Sequence, residues 1–410
     1  TLKAWLDSGA YRLTSWDASL PCMTSSMQAG ILHGSHTNIP AFRYYDKKQK
    51  RILGSNHPRD AVEMLAPNNN GEGLLHDGGL SVNNWACGNA TESLLTFTDF
   101  GLDPLSIRKQ GGLLYGFFAD AYLVQGTFAG MVRDLWREWR ESRYQRKHNV
   151  LPRLDRKFPY PLSRAATTIF LPAVSVYLTI ERMFAGVGTI YATLFGYDKV
   201  SHYSGIDRPD SMRVLEQVDE QIRWIDLARP HVARKYELVL LADHGHSQGP
   251  TFKQRFGKTI AELIAELLNP GDAEEGDVVT ADTGDEGLQF LGLLLGQVTQ
   301  QDSKRGRILK RALEKREEIG GYVDIDDSDN NPTSDEVARA ESVVCVTGNL
   351  ALVYLKASEE RMTLEEILAR YPKLIPDLLA HPGIGEILVE SESEGPFVLG
   401  KEGGVYVLRD

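Results

Sequence analysis

Two acid–histidine pairs could do chemistry in this chain: Asp198-Lys-Val-Ser-His202 and Asp243-His244-Gly-His246. Carboxylate and neutral imidazole are donors that zinc takes, and manganese and iron take them as well. A single pair is compatible with a surface histidine beside an acid. Two pairs that each follow an uncharged apolar run point to one shared site, because uncompensated acids at buried strand ends cost energy. A pair of metal ions can activate a nucleophile and stabilise both oxygens of an in-line phosphoryl displacement. The hydroxyls for such a role are Thr24, Ser25 and Ser26, which stand just before an apolar, helix-like run ending at Gly34. A hydroxyl at a helix N-terminus meets backbone N–H donors and the positive end of the dipole. The everyday alternative for the same hydroxyls is a helix cap.

The elements that must position these residues follow from the local pattern. Residues 189–197 (TIYATLFGY) are β-branched, aromatic and uncharged, which predicts a buried strand. Residues 237–242 (ELVLLA) predict a second one. Between them lie a polar loop over 198–210 and a helix from Pro209, with Asp210 as its N-cap. Leu215, Val218, Ile222 and Ile225 share one face of that helix, and Pro230 ends it. Strand, helix and strand make a parallel crossover. Ligands gather beyond the carboxyl ends of parallel strands, so this crossover brings both acid–histidine pairs into one crevice. Residues 68–73 and 77–88, dense in Gly and Asn, read as loop-rich surface near a site. Strands are expected over 342–347, 350–355, 386–390, 397–399 and 405–408, with a helix over 363–379. Residues 258–320 read as helices broken by an acidic loop at 272–286. That loop and 324–331 lack the calcium-loop pattern and read as solvated.

Composition narrows the class. The 410 residues are 42 % hydrophobic and 25 % charged, which are globular values that allow two or three domain-sized units. Forty-five Lys and Arg against 56 Asp and Glu leave −11, which argues against nucleic-acid binding. Three cysteines cannot form a disulfide framework. No basic segment followed by an apolar leader is visible, and the chain starts at Thr1. Residues 105–188 depart from the rest. Residues 110–132 are apolar apart from Asp120, and 133–157 hold nine basic and four acidic residues, a net +5. A charge inside a spanning helix is costly, so this stretch reads as a helical insertion packed on the core. Its charges read as a solvated helix face or as contact with an anionic membrane surface through 133–157.

The order Thr24-(x)9-Gly34, Pro40, Asp198-(x)3-His202, Asp243-His244-Gly resembles the alkaline phosphatase superfamily, and most of all its type I phosphodiesterase/nucleotide pyrophosphatase branch. The likeness covers residues 1–100 and 189–257 well and 340–410 loosely. It implies that Thr24 opens a helix and attacks phosphorus. It implies that Asp198 and His202 hold one divalent ion, and that Asp243, His244 and Thr24 hold a second. Zinc is the first expectation and manganese the next. Ser25, His246 and Asn84 would stand behind the ligands or face substrate. The expected architecture is an α/β fold, a three-layer α/β/α sandwich with a mostly parallel sheet and a helical insertion. Residues 1–104 and 189–410 would form the phosphatase-like core, with 105–188 as the basic insertion and 258–340 as a helical, acidic one.

The expected activity is metal-dependent hydrolysis of a phosphate ester, a phosphodiester first, through a phospho-threonine. The alternatives are a phosphomonoesterase or phosphomutase of the same superfamily, and a membrane-associated scaffold with a decayed site. Two departures bear on this. The family pattern places a metal-binding Asp before the nucleophile, where only Asp7 and Asp17 stand here, neither after a strand-like run. It also has a late His in an H-G context, where only His381 stands, in a His-Pro-Gly turn. A chain truncated at both ends is the expectation that joins the two. Gly257-Lys258-Thr259 lacks the first glycine of a phosphate loop, Phe252 standing there, and no G-x-S-x-G elbow is present.

Overall fold

The computed structural model describes residues 1–99, 114–154, 156–269, 278–281, 318–319, 322–323 and 332–408. Helices α1 (Leu2–Asp7) and α2 (Thr24–His33) precede a two-stranded pair, β1 (Arg43–Asp46) and β2 (Arg51–Gly54). Then come α3 (Pro58–Leu65), β3 (Leu80–Val82), β4 (Glu92–Leu94) and the long α4 (Ala121–Lys147). Helix α5 (Tyr160–Ala165) runs through a π-helical turn, Ala166–Phe170, into α6 (Leu171–Phe184). Strand β5 (Ile190–Ala192), α7 (Tyr197–Ser204) and α8 (Pro209–Ala228) follow. The remainder is α9 (Phe252–Phe256), α10 (Ile260–Leu268), β6 (Val278–Ala281), β7 (Glu318–Ile319), β8 (Tyr322–Val323), α11 (Ser334–Arg339), β9 (Ser342–Thr347), β10 (Leu350–Leu355), α12 (Leu364–Arg370), α13 (Leu374–Ala380), β11 (Glu386–Ser391), β12 (Gly395–Gly400) and β13 (Val405–Val407).

These elements form two compact units. One holds Thr1–Phe42, Gly54–Gly249 and Gly284–Asp327; the other holds Arg43–Leu53, Pro250–Thr283 and Ser328–Asp410. The first unit is organised on a parallel sheet of order β4-β3-β5, paired Leu80 to Glu92 and Leu80 to Ile190. All three residues of β3 are fully buried, as a strand covered on both faces should be. Helix α6 joins the sheet through Asn83, whose amide donates to the Leu171 carbonyl at 3.2 Å and to the Ser175 hydroxyl. The π turn lies where Thr167 and Thr168 bond back to the Ser163 and Arg164 carbonyls and where Pro172 supplies no N–H. The combined helix Tyr160–Phe184 is long and apolar enough to cross a membrane, but 72 % of its apolar window is buried inside the protein.

The second unit packs α10, α12 and α13 on the sheet β10-β9-β6, with Ile264, Val344, Leu355, Leu374 and Ile375 in its core. Here β9 and β10 form an antiparallel hairpin and β6 runs parallel to β9. An antiparallel sheet β11-β12-β13 completes it.

The chain is therefore a mixed α/β protein with small sheets, and no large parallel sheet appears among the described residues. Several expectations need correction. The strand expected over 189–197 is three residues long, because Gly196 turns the backbone at φ 122° and starts α7. Asp198 and His202 thus lie on a helix and not in a loop. Residues 237–242 form no strand, and Val239 is 82 % exposed. A short apolar run becomes a strand only where a neighbour offers a ladder, and no described residue does. The crossover is accordingly incomplete.

In α8 the N-cap is Arg208, while Asp210 sits in the first turn and is buried. The buried face of α8 is Val214, Ile222 and Ile225, with Leu215 exposed. The helix expected over 363–379 is two helices, because Pro372 interrupts it. The start of the insertion at 105–113, most of the acidic loop at 272–286, and 324–331 lie outside the described residues.

Candidate active site

Thr24 is the first residue of α2, and the N-cap position belongs to Met23, which makes no side-chain cap bond. The Thr24 hydroxyl is therefore not used as a cap. Gly34 closes the helix in the left-handed conformation at φ 78°, as a C-terminal glycine does. Helix α7 carries Asp198 and His202 four residues apart, hence on one face, with Asp198 Oδ1 at 3.3 Å from His202 Nε2. Gly196 begins α7, and a Cβ there would meet Val214 at 3.0 Å and the Thr168 backbone at 3.2 Å. Only glycine allows α7 to start so close to its neighbours. The segment carrying His244 and His246 has no helix or strand, and Gln248 fixes it to the end of α7 by accepting from the Ile206 N–H at 2.9 Å.

His246 Nε2 lies 3.1 Å from His202 Nδ1, and the two rings are 4.2 Å apart at 63°. One oxygen of Asp198 and one nitrogen each of His202 and His246 lie within 4.8 Å of one another. Donors about 2 Å from a tetrahedral zinc stand roughly 3.3 Å apart, so small rotations close this set on an ion. His246, placed behind the ligands by the sequence pattern, thus supplies the third donor of the group.

Hydrogen bonding fixes the protons around it. The Ser201 hydroxyl donates to the Asp198 carbonyl at 2.9 Å, so at 2.8 Å it accepts from His246 Nδ1. His246 Nε2 then has a lone pair facing His202. His202 Nδ1 therefore donates to His246, and its Nε2 faces Asp198. A divalent ion held here would take the carboxylate and imidazole lone pairs of Asp198, His202 and His246.

A second arrangement faces the first. Thr24 Oγ1 is 3.2 Å from His244 Nε2. His244 Nδ1 lies 2.9 Å from the Gly245 carbonyl, which can only accept. The proton therefore sits on Nδ1, and Nε2 accepts the Thr24 O–H bond. Asp243 Oδ1 accepts from the His244 backbone N–H at 3.1 Å and lies 3.9 Å from His244 Nε2. Thr24, Asp243 and His244 thus gather a hydroxyl, a carboxylate and an imidazole.

The electrostatics suit both arrangements. Burial pushes the Asp198 carboxyl up, but His202 above all, then His244 and His246, outweigh it and hold it well below the usual range. Burial raises the Asp243 carboxyl; His244 opposes this and the Asp198 charge adds to it. Burial and then His202 lower His246, which favours the neutral, ligand-ready ring. Burial, then the Asp243 charge, push the Tyr191 hydroxyl up to about 12.

Ser25 is fully buried and its hydroxyl has no hydrogen-bond partner among the described residues. Ser26 donates to the Pro21 and Met23 carbonyls. Asn84 is fully buried and engaged on both ends of its amide: it donates to Ser81 at 2.8 Å and to the Tyr191 carbonyl at 2.9 Å, and accepts from Thr193 at 2.7 Å. It ties β3 to β5. Asp7 pairs with Lys3, and His381 stacks on Phe252 in a turn of the second unit, with its Nδ1 accepting from the Gly383 N–H at 3.1 Å. No family model, curated protein or solved structure matches this chain.

Proposed function

We propose that this chain hydrolyses phosphate esters, phosphodiesters first, with Thr24 as nucleophile and a divalent ion held by Asp198, His202 and His246. The observation that carries the reading is the Thr24–His244 contact of 3.2 Å at the start of α2, next to an Asp/His/His group. Zinc fits two imidazoles and a carboxylate best, with manganese behind it. A second ion would rest on Thr24, Asp243 and His244. Bound metal supplies positive charge for the phosphoryl oxygens and lowers the pKa of a nearby hydroxyl.

The chain's own residues do the rest. With its Nε2 lone pair free of the second ion, His244 takes the Thr24 proton and passes it to the leaving alkoxide as Oγ1 forms the bond to phosphorus and the bond to the leaving oxygen breaks. The first-turn N–H groups of α2, which have no partner within the helix, face the developing charge. Water then attacks the phosphorus, the bond to Oγ1 breaks and Thr24 regains its proton, releasing a phosphate monoester from a diester substrate or inorganic phosphate from a monoester. Membership of the type I phosphodiesterase branch and an α/β/α sandwich belong to the same proposal; the motif order supports the first, and the parallel sheet β4-β3-β5, to which α2 is tied by the Gln28–Thr193 bond and α6 by the Asn83–Leu171 bond, supports the second.

The test combines metal analysis with turnover of nitrophenyl mono- and diesters by wild type and Thr24→Ala. Bound zinc, diester turnover and its loss in the variant are expected. Wild-type turnover in Thr24→Ala removes the nucleophile. A protein that binds zinc but prefers monoesters supports a phosphatase or mutase, and one that neither binds metal nor turns over supports a scaffold.

A further inference from the structure

Helix α4 is built inside out. Its buried residues are Asp134, Glu138 and Gln145, while Tyr122, Phe128, Val132, Trp136, Trp139 and Tyr144 are 52–90 % exposed. A helix packed at a water-facing surface shows the reverse pattern. Its acids are all engaged inward. Arg164 contacts Asp134 at 3.2 Å, Glu138, and Glu141 at 3.1 Å; Arg156 reaches Glu138 at 3.3 Å; Arg213 takes the other Glu141 oxygen at 2.5 Å. Within Ala121–Lys147 the outward charges are therefore cations alone, Arg133, Arg140, Arg143, Arg146 and Lys147, while the exposed N-cap Asp120 accepts from the Tyr122 and Leu123 N–H groups.

Polarity also changes along the axis. Residues 121–132 carry no charge, which is about 18 Å of helix. The cations begin at Arg133 and fill the later turns. Trp136 and Trp139 lie within this basic half, each with a guanidinium, Arg140 and Arg143, at 5.0 Å from its ring.

We infer that α4 docks this protein on an anionic lipid bilayer. The uncharged half dips to the acyl boundary, Trp136 and Trp139 lie at headgroup level, and the cations meet lipid phosphates. Charge complementarity selects this occupant: a purely cationic face stands on a protein of net charge −11, which an anionic surface otherwise repels. The long uncharged half distinguishes lipid from nucleic acid, which would use the cations and leave Tyr122, Phe128 and Val132 in water. The neighbouring apolar helix Tyr160–Phe184 is covered by protein, so the contact falls to α4.

Flotation tests this without any need for enzymatic turnover. The 410-residue protein is mixed with phosphatidylcholine vesicles, or with the same vesicles carrying phosphatidylglycerol, at low and high salt. Binding to the anionic vesicles that weakens with salt is expected. Arg140→Glu with Arg143→Glu should lower partitioning by about fivefold or more per residue. Trp136→Ala with Trp139→Ala should also lower it, and brominated acyl chains should quench wild-type tryptophan emission. All four side chains are exposed, and matching circular-dichroism melts establish that the variants fold. Equal recovery with neutral and anionic vesicles overturns the inference. So does wild-type flotation of the charge-reversed variant, or displacement from vesicles by duplex DNA at equal charge.

Discussion

The Ser201 hydroxyl sets the protons of the whole Asp198–His202–His246 group, because its own hydrogen is committed to the Asp198 carbonyl. His202→Ala and His246→Ala should each weaken zinc binding at least about 100-fold, and Ser201→Ala roughly tenfold, since it only orients a ligand. Calorimetric titration measures all three; wild-type affinity in His246→Ala would remove it from the ligand set. The acid limb of stability reports Asp198. Its carboxyl is lower in the folded protein than in the unfolded chain, so it stabilises above the ordinary value of about 4, and that contribution disappears as pH falls through the lowered value. In metal-free protein, Asp198→Asn should flatten the loss of urea stability below about pH 4. An unchanged acid limb would mean that Asp198 is not held by the histidines. Thr24→Ala should abolish diester turnover yet lower the unfolding free energy in urea by less than about 1 kcal/mol, because Met23 occupies the cap position. A large loss of stability would instead assign Thr24 a structural role.

Elements differed in how far local pattern reveals them. Strands β9 and β10 are legible to the residue at 342–347 and 350–355, since β-branched runs joined by a Gly-Asn turn carry their pairing partner beside them. Helix α2 is equally plain from its Gly34 stop. The apolar run 237–242 has the composition of a strand but no neighbour to ladder with, which composition does not encode. The polar stretch at 198–204 conceals a helix, because the glycine that starts it lies before the polar residues. In α4, spacing suggests Asp134–Arg137 and Arg137–Glu141 pairs along the helix. The acids instead turn inward to Arg164, 23–30 residues away, which only packing reveals. The His244-Gly-His246 spacing can seed a single-metal site, but that His246 meets Asp198 and His202 is decided by packing, which the spacing does not encode. Arg164→Ala removes the buried guanidinium that contacts Asp134, Glu138 and Glu141 together, leaving Arg156 on Glu138 and Arg213 on Glu141, and should cost about 3–5 kcal/mol in urea unfolding. A change under about 1 kcal/mol would show that the carboxylates find other partners.

For the whole molecule, the division into two units separates stability from chemistry. Thr24, Asp198, His202, Asp243, His244 and His246 all lie in the first unit. Leu374 is buried in the core of the second, and Leu374→Ala should cost about 2–5 kcal/mol there. Zinc affinity should stay at the wild-type level; a parallel loss would make the second unit part of the site. The apolar segment 237–242 has a further consequence. With Val239 82 % exposed and no strand beside it among the described residues, its backbone ahead of Ala242, whose carbonyl accepts from Trp16 Nε1 at 3.2 Å, can pair with an extended chain such as another copy of itself. Concentrated solutions should therefore turn cloudy through strand addition between molecules, and a gatekeeper charge, Val239→Lys, should raise the concentration at which turbidity begins.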